Sequence, residues 1–268
     1  MANNRAEISS ISRVGTTEPF ELQVSRGQIS FHETVHKFGF NSSVDTTLAT
    51  VWLQGGLYSY LGSASTLYIS SSSTADTAAG TGARTVTVSG LDNNFDEKIE
   101  TVSLNGQTGV ELNGSTWFRV NRIVVNTAGS GGGNAGVLYV GTESAPSSGV
   151  PTNKYATVGI GDNQSLMMTY TIPRGYTAFI TQKDVSASSS AGKFAILSLV
   201  ARPFGGVFNV KDRVLSSEGY SAISYPYPLK FTEKTDIEIR AQADSAGGTV
   251  TVSAALDILL IQNRPFPE

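Results

Sequence analysis

No cysteine occurs among the 268 residues of this chain. This absence excludes disulfide bonds, thiolate metal sites and cysteine nucleophiles. Charged residues are also scarce, at 15% compared with about 25% in typical globular domains. Because the net charge is −3, the chain has no overall basic field for nucleic acid or an anionic membrane. Ser, Thr, Asn and Gly must supply the solvation, which is common in β-rich extracellular and virion proteins.

Long apolar runs are missing too. No stretch approaches the roughly 18–20 apolar residues of a membrane helix, and the first residues, MANNRAEISSISRVG, contain no apolar core of a signal peptide. We therefore expect no nucleic-acid partner, no membrane association and synthesis without secretion.

Helical periodicity is nearly absent, whereas alternation with a period of two is abundant. The segments RTVTVSGLD, WFRVNRIVV and TDIEIRA all alternate apolar with polar residues. In TDIEIRA, Ile237 and Ile239 are predicted to face a core, while Asp236 and Glu238 face solvent. The connection DSAGG predicts a hairpin between this strand and TVTVSAALDILL.

Tracts such as SSSTADTAAGTGA, at 71–83, interrupt these strands and are rich in small, turn-forming residues. Since turn signals recur every ~8–12 residues in many places, the pattern predicts an all-β protein of antiparallel sandwich or jelly-roll-like modules. We predict an extended N-terminal arm over 1–45, a β-sandwich unit over 46–143, a linker over 144–154 and a second β-sandwich unit over 155–268. The arm is polar with sparse apolar anchors, including Ile8, Ile11, Phe38 and Phe40, and could order on a neighbouring subunit.

The letters HETVH, from His32 to His36, match the HExxH pattern of zinc proteases. That chemistry needs both imidazoles on one helical face, a third ligand, and Glu33 to activate water. The apolar stripe around the motif ends at Gly39, and the chain has only two histidines. We therefore prefer two polar residues in an arm or connector, and a zinc hydrolase stays the alternative.

Other catalytic patterns are weaker still. No GxSxG elbow or phosphate loop occurs. The carboxylate pairs Asp96/Glu97 and Asp236/Glu238 could serve a glycosidase only if two carboxylates converged across a cleft. We predict no enzyme activity, no catalytic, metal or cofactor-binding residues and no cofactor.

Two aromatic clusters remain, in YSYL and in SYPYPLKF, the second containing Tyr225, Tyr227 and Phe231. Such rings could stack on sugars or bind a protein partner. Tyrosine near proline in a β protein more often covers a sheet edge or fills a subunit interface, which we favour.

The segments VHKFGFNSSVDTTLATVWLQGGLYSYL, KIETVSLNGQTGV, VNTAGSGGGNAGVLYVG and LMMTYTIPRGYTAFI resemble a family of tailed-phage virion proteins, over roughly residues 35–262. The resemblance implies a structural role in the virion, with synthesis in the host cytoplasm, and brings no catalytic residues. We expect a capsid-decorating or cement protein that binds the major capsid lattice or another virion protein. We also expect a homo-oligomer, with a trimer as the working assumption. The alternative is a tail, neck or fibre component that binds a host receptor or carbohydrate.

Overall fold

The computed structural model describes residues 18–189 and 192–263. These residues form one short helix, α1 (Phe20–Ser25), a 3-10 turn at Ser147–Gly149 and fifteen strands. The strands are β1 (His32–Val44), β2 (Ala49–Thr50), β3 (Ser65–Ser71), β4 (Ala83–Asp92), β5 (Glu97–Ser103), β6 (Val110–Ala128), β7 (Leu138–Gly141), β8 (Lys154–Val158), β9 (Thr169–Thr171), β10 (Tyr176–Ser188), β11 (Ala195–Pro203), β12 (Asn209–Ser216), β13 (Gly219–Phe231), β14 (Thr235–Ala243) and β15 (Val250–Gln262). Among the described residues, no helix has the length and apolar character to cross a bilayer.

The strands build three sheets. The first has the order β1-β15-β10-β13, and the second has the order β12-β11-β14-β2, with β9 also paired to β14. The third has the order β5-β4-β6-β3-β7-β8. Neighbouring strands within each sheet are antiparallel. The prediction of an all-β, antiparallel sandwich is therefore confirmed.

Two hydrophobic clusters hold these sheets together. The first lies between the first and second sheets, where alternate residues of β15, β11 and β14 meet, such as Leu256, Leu199 and Ile239. The second lies under the third sheet and contains Trp117 together with Trp52 from the loop after β2. Burial of these side chains supplies about 1.5–3 kcal/mol each for the large residues, which makes the two clusters the main source of stability.

Strand pairing differs from the predicted boundaries in two places. Residues 32–44, predicted as part of an extended arm, form β1 and pair with β15 along most of its length. The hydrophobic pattern of the sequence does not reveal this strand. Its buried positions include Lys37, Gly39 and Asn41, whereas Phe38 and Phe40 lie on the other face and are half-buried. Residues 154–158, at the predicted boundary of the second unit, form β8 and pair with β7 in the third sheet. Residues 1–17 of the predicted arm lie outside the described residues.

The hairpin predicted between β14 and β15 does not form. β14 pairs with β11 in the second sheet, whereas β15 pairs with β1 and β10 in the first. The connection at 244–249 therefore crosses from one layer of the sandwich to the other. Both strands carry inward apolar residues, and facing each other across the core buries more apolar surface than pairing edge to edge.

Candidate functional site

The histidines of the HETVH pattern lie on β1, not on a helix. Four residues of strand span about 13 Å, too far for two imidazoles to share one ion. Instead His32 Nδ1 lies 2.9 Å from the Ser30 carbonyl oxygen, and His36 Nδ1 lies 2.6 Å from Asp257 Oδ1 on β15. Within the described ranges, no group of three or more His, Asp or Glu side chains is placed to hold a metal ion. The backbone conformation that the zinc-protease mechanism requires is therefore not present at this motif.

The carboxylates Asp236 and Glu238 are buried, contrary to the predicted solvent-facing position. Their residues are 1% and 0% exposed. Asp236 accepts hydrogen bonds from Arg119 Nε at 2.9 Å, Arg202 Nη2 at 2.6 Å and Thr171 Oγ1 at 2.6 Å. The outer face of β14 is therefore covered by residues of the third-sheet region.

The Glu238 carboxylate, like that of Asp236, accepts hydrogen bonds from an arginine and a threonine. Arg240 donates through Nε at 2.9 Å and Thr50 through Oγ1 at 2.8 Å. Aromatic rings enclose the guanidinium groups: Arg119 Cζ lies 4.2 Å from the Phe118 ring centroid, and Arg240 Cζ lies 4.1 Å from that of Phe208. We call Arg119, Arg202, Arg240, Asp236 and Glu238 the buried charge layer. It joins β6 of the third sheet to β14 and β11 of the second.

The buried charge layer joins two sheets and does not have the geometry of a glycosidase site. Each carboxylate already has an arginine partner, and both lie on one strand instead of facing each other across a cleft. The carboxylates of the second predicted pair, Asp96 and Glu97, have different surroundings. Asp96 forms an ion pair with Arg174, with 2.6 Å between Oδ2 of the aspartate and Nη2 of the arginine. Burial, helped by the charge of Glu33, raises the pKa of Glu97.

Of the two tyrosines of YSYL, Tyr58 is buried and Tyr60 is half-buried. Tyr58 donates its hydroxyl to the Tyr155 carbonyl oxygen at 2.9 Å, and its ring lies 4.8 Å from that of Tyr60. Burial, together with the charges of Glu238 and Asp236, raises the pKa of Tyr60. These two rings therefore pack the junction beside the buried charge layer.

The second aromatic cluster lies on β13, an edge strand of the first sheet. Between the pairs Ile180–Leu229 and Gln182–Ser224, one residue of β10 faces four residues of β13. This bulge contains two prolines, Pro226 and Pro228, which cannot donate to a ladder. Tyr227 at the bulge is 90% exposed.

Tyr225, two residues before Tyr227, points inward instead. Its hydroxyl donates to Asp212 Oδ2 at 2.5 Å, and the buried Lys183 amino group is bonded to the same carboxylate. This group ties β13 to β12 and β10. Phe231, the third aromatic residue of the cluster, is buried in the first hydrophobic cluster.

The two sides of the sandwich differ in what covers them. On one side, the edge strand β1 meets the third sheet: the Lys37 amino group donates to the Asn121 carbonyl oxygen, and Arg122 Nη2 donates to the His36 carbonyl oxygen at 2.5 Å. On the other side, β12 and β13 are the outermost strands of their sheets. Within the described ranges, no further strand pairs with either of them there.

This open side carries exposed apolar residues. Val210 and Leu215 stand opposite Val200 and Ile196 and share their outward face. Val207, in the loop before β12, is exposed as well. We call Val207, Val210, Leu215 and Tyr227 the edge surface; they are 73%, 52%, 60% and 90% exposed. Of these four residues, the sequence pattern points only to Tyr227, because isolated Val and Leu in a strand give no signal of their exposure.

Comparisons with known proteins give only weak similarity, and only to solved structures. No protein-family model matches the chain, and no curated protein matches it. Three solved structures from infectious bursal disease virus show weak similarity. The Gx strain structure has a TM-score of 0.25 at 11% identity, covering 88% of this chain and 73% of that one. The VP2 subviral particle has a TM-score of 0.24 at 10% identity, covering 91% and 77%.

The third structure, from the Gt strain, has a TM-score of 0.20 at 13% identity and covers 92% of this chain and 78% of that one. These TM-scores are far below those of chains that share a fold.

Proposed function

We propose that this chain is a non-enzymatic structural protein of a tailed-phage virion, which attaches to the major capsid lattice and decorates or stabilises it. The observation that carries the proposal is the open side of the sandwich, where two edge strands present the edge surface. Unpaired strand edges with exposed apolar side chains favour association with another chain. The sequence resemblance to virion proteins gives the class of that partner.

Side-chain packing, rather than strand addition, is the mode of attachment that this surface supports. Pro226 and Pro228 remove two backbone donors from β13, which blocks a continuous ladder with a neighbour. Tyr227 instead offers a large ring with a polar tip, a residue type enriched at binding hot spots. Lys211 and Lys230 are exposed on the same two strands, so an acidic area on the lattice is the complementary surface.

The remaining architecture suits a rigid attachment. The buried charge layer fixes the third sheet against the sandwich, and breaking such buried pairs costs several kcal/mol. Consequently the edge surface is presented by a stiff body, which lowers the entropy lost on binding. A homo-oligomer on the lattice, with a trimer as the working stoichiometry, is part of the proposal.

The test uses purified heads from phage that lack this chain. Wild-type protein is expected to sediment with the heads and to raise the temperature at which they release DNA. Replacing Leu215 and Tyr227 by Ser is expected to abolish sedimentation. The matched control is Ile99→Ser, because Ile99 is 71% exposed but lies on β5 of the third sheet.

Three results would count against the proposal: absence of the chain from purified virions by mass spectrometry, its location at the neck or tail tip in a virion map, or equal binding of the edge-surface variant and wild type.

A further inference from the structure

A groove on the outer face of the first sheet stands apart from the edge surface. It has a volume of 410 Å³ and is lined on one side by Phe38 and Phe40 of β1 and on the other by Asp184 and Tyr220. The strand register explains the shape. One row across the sheet reads Phe40, Ser253, Ser186 and Tyr220, and the next reads Phe38, Ala255, Asp184 and Ala222.

The small residues of the two central strands form the floor of this groove, and the rings of the two outer strands form its walls. Because side chains of one row stand about 5 Å apart on neighbouring strands, Ser253 and Ser186 leave a space between Phe40 and Tyr220. Tyr220 is 67% exposed. The groove therefore offers an accessible ring at one wall and two half-buried rings at the other.

Polar groups converge on the same space. The Tyr220 hydroxyl donates to Asp184 Oδ1 at 2.7 Å, and Gln182 Nε2 donates to the same carboxylate at 3.0 Å. The Ser186 and Ser253 hydroxyl oxygens are 2.7 Å apart. A carboxylate oxygen has two acceptor positions, so Asp184 retains acceptor capacity toward a ligand hydroxyl.

The charges of the groove select against an anion. The groove is lined by the Asp184 carboxylate and by His36, whose imidazole is hydrogen-bonded to Asp257. Arg122 lies beyond the wall, with Cζ 5.7 Å from the Phe38 ring centroid, and its Nη2 is bonded to the His36 carbonyl oxygen. A ligand in the groove therefore meets a negative charge, hydroxyl groups and aromatic faces.

We infer that this groove binds a neutral glycan. The apolar face of a hexose ring packs on an aromatic side chain, while its hydroxyls donate to carboxylate and serine oxygens, and the groove offers both within one row of residues. The inference does not rest on the proposed attachment to a capsid lattice, because none of the four edge-surface residues lines the groove.

The test is an array of immobilised oligosaccharides that end in glucose, galactose or mannose, each beside a sialylated or sulfated counterpart, probed with the full chain. Binding to one or more neutral glycans, and weaker binding to the anionic counterparts, is expected. Tyr220→Ala should weaken binding about threefold to tenfold, the value of one aromatic contact. Tyr220→Phe, which keeps the ring, should recover most of the affinity.

The control is Ile160→Ala, since Ile160 has the same 67% exposure as Tyr220 but does not line the groove. Ser253→Leu offers a second variant. It fills the floor of the groove and removes one of the two serine hydroxyls, and it should abolish binding. The inference is overturned if no neutral glycan is retained, if anionic glycans are preferred, or if Tyr220→Ala and Ser253→Leu both bind as wild type does. None of these results bears on whether the chain is found on the virion.

Discussion

The buried charge layer is expected to dominate the response of this protein to a single substitution. Asp236 receives two guanidinium groups and one hydroxyl while only 1% of the residue is exposed. Asp236→Asn keeps the shape of the side chain but leaves the charges of Arg119 and Arg202 uncompensated. Removing one partner of a buried ion pair costs about 3–5 kcal/mol. At about 2–4 °C per kcal/mol for a chain of this size, Tm should fall by roughly 6–20 °C.

Two further variants are expected to lose less stability than Asp236→Asn does. Arg119→Met should cost less than Asp236→Asn, because Arg202 still pairs with the carboxylate. Asp96→Asn breaks an exposed pair, with side chains 43% and 53% exposed, and should cost at most about 1 kcal/mol. Urea unfolding would be followed by far-ultraviolet circular dichroism and by tryptophan fluorescence.

The two spectroscopic probes report on different parts of the molecule. Both tryptophans, Trp52 and Trp117, belong to the second hydrophobic cluster, whereas circular dichroism senses every sheet. If the layer couples the third sheet to the sandwich, the two curves should coincide in wild type and separate in Asp236→Asn. The reasoning is refuted if Asp236→Asn loses no more stability than Asp96→Asn.

Two other predictions concern β1. Burial, with a smaller contribution from Arg122, lowers the pKa of Lys37 well below 10.5, so the unfolded chain binds a proton that the folded chain releases. Stability should therefore rise with pH up to about that ordinary value; the urea midpoint should rise between pH 7.5 and pH 9.5, and by less in Lys37→Met. An equal rise in both proteins would contradict this. Gly39→Ala would place a Cβ 2.6 Å from the Met168 nitrogen and closer still to the Val51 carbonyl oxygen, and it should cost about 1–3 kcal/mol or more. Gly62→Ala, whose Cβ meets nothing within 4 Å, is the control by thermal melting, and equal melting temperatures would argue against the packing of β1.

The strands themselves were predictable because alternation and turn residues act locally. RTVTVSGLD forms most of β4, with Val86 and Val88 in the second cluster. The same local rule failed for TDIEIRA. Its inward face was predicted correctly, since Ile237 and Ile239 lie in the first cluster. Its other face is polar yet buried, because Arg119, 117 residues away in sequence, supplies the opposite charge.

The site could be predicted less well than the strands, for a related physical reason. Whether Val210 or Leu215 is exposed depends on which strand ends a sheet, and edge position is a property of the whole topology. The groove on the first sheet depends on a register across four strands that are distant in sequence. Tyr227 could be singled out because its flanking prolines already mark an edge or a bulge.

The place of β15 in the first sheet has a consequence for how the molecule is made. β15 lies between β1 and β10, and its Asp257 meets His36 across 221 residues of sequence. During translation, β1 therefore has no ladder partner until the last of the described strands has left the ribosome, whereas every strand of the third sheet has emerged by residue 158. The third sheet should thus fold before the first sheet during synthesis. An mRNA truncated before codon 250 would yield a product in which β1 has no partner strand, and such a product should be prone to self-association.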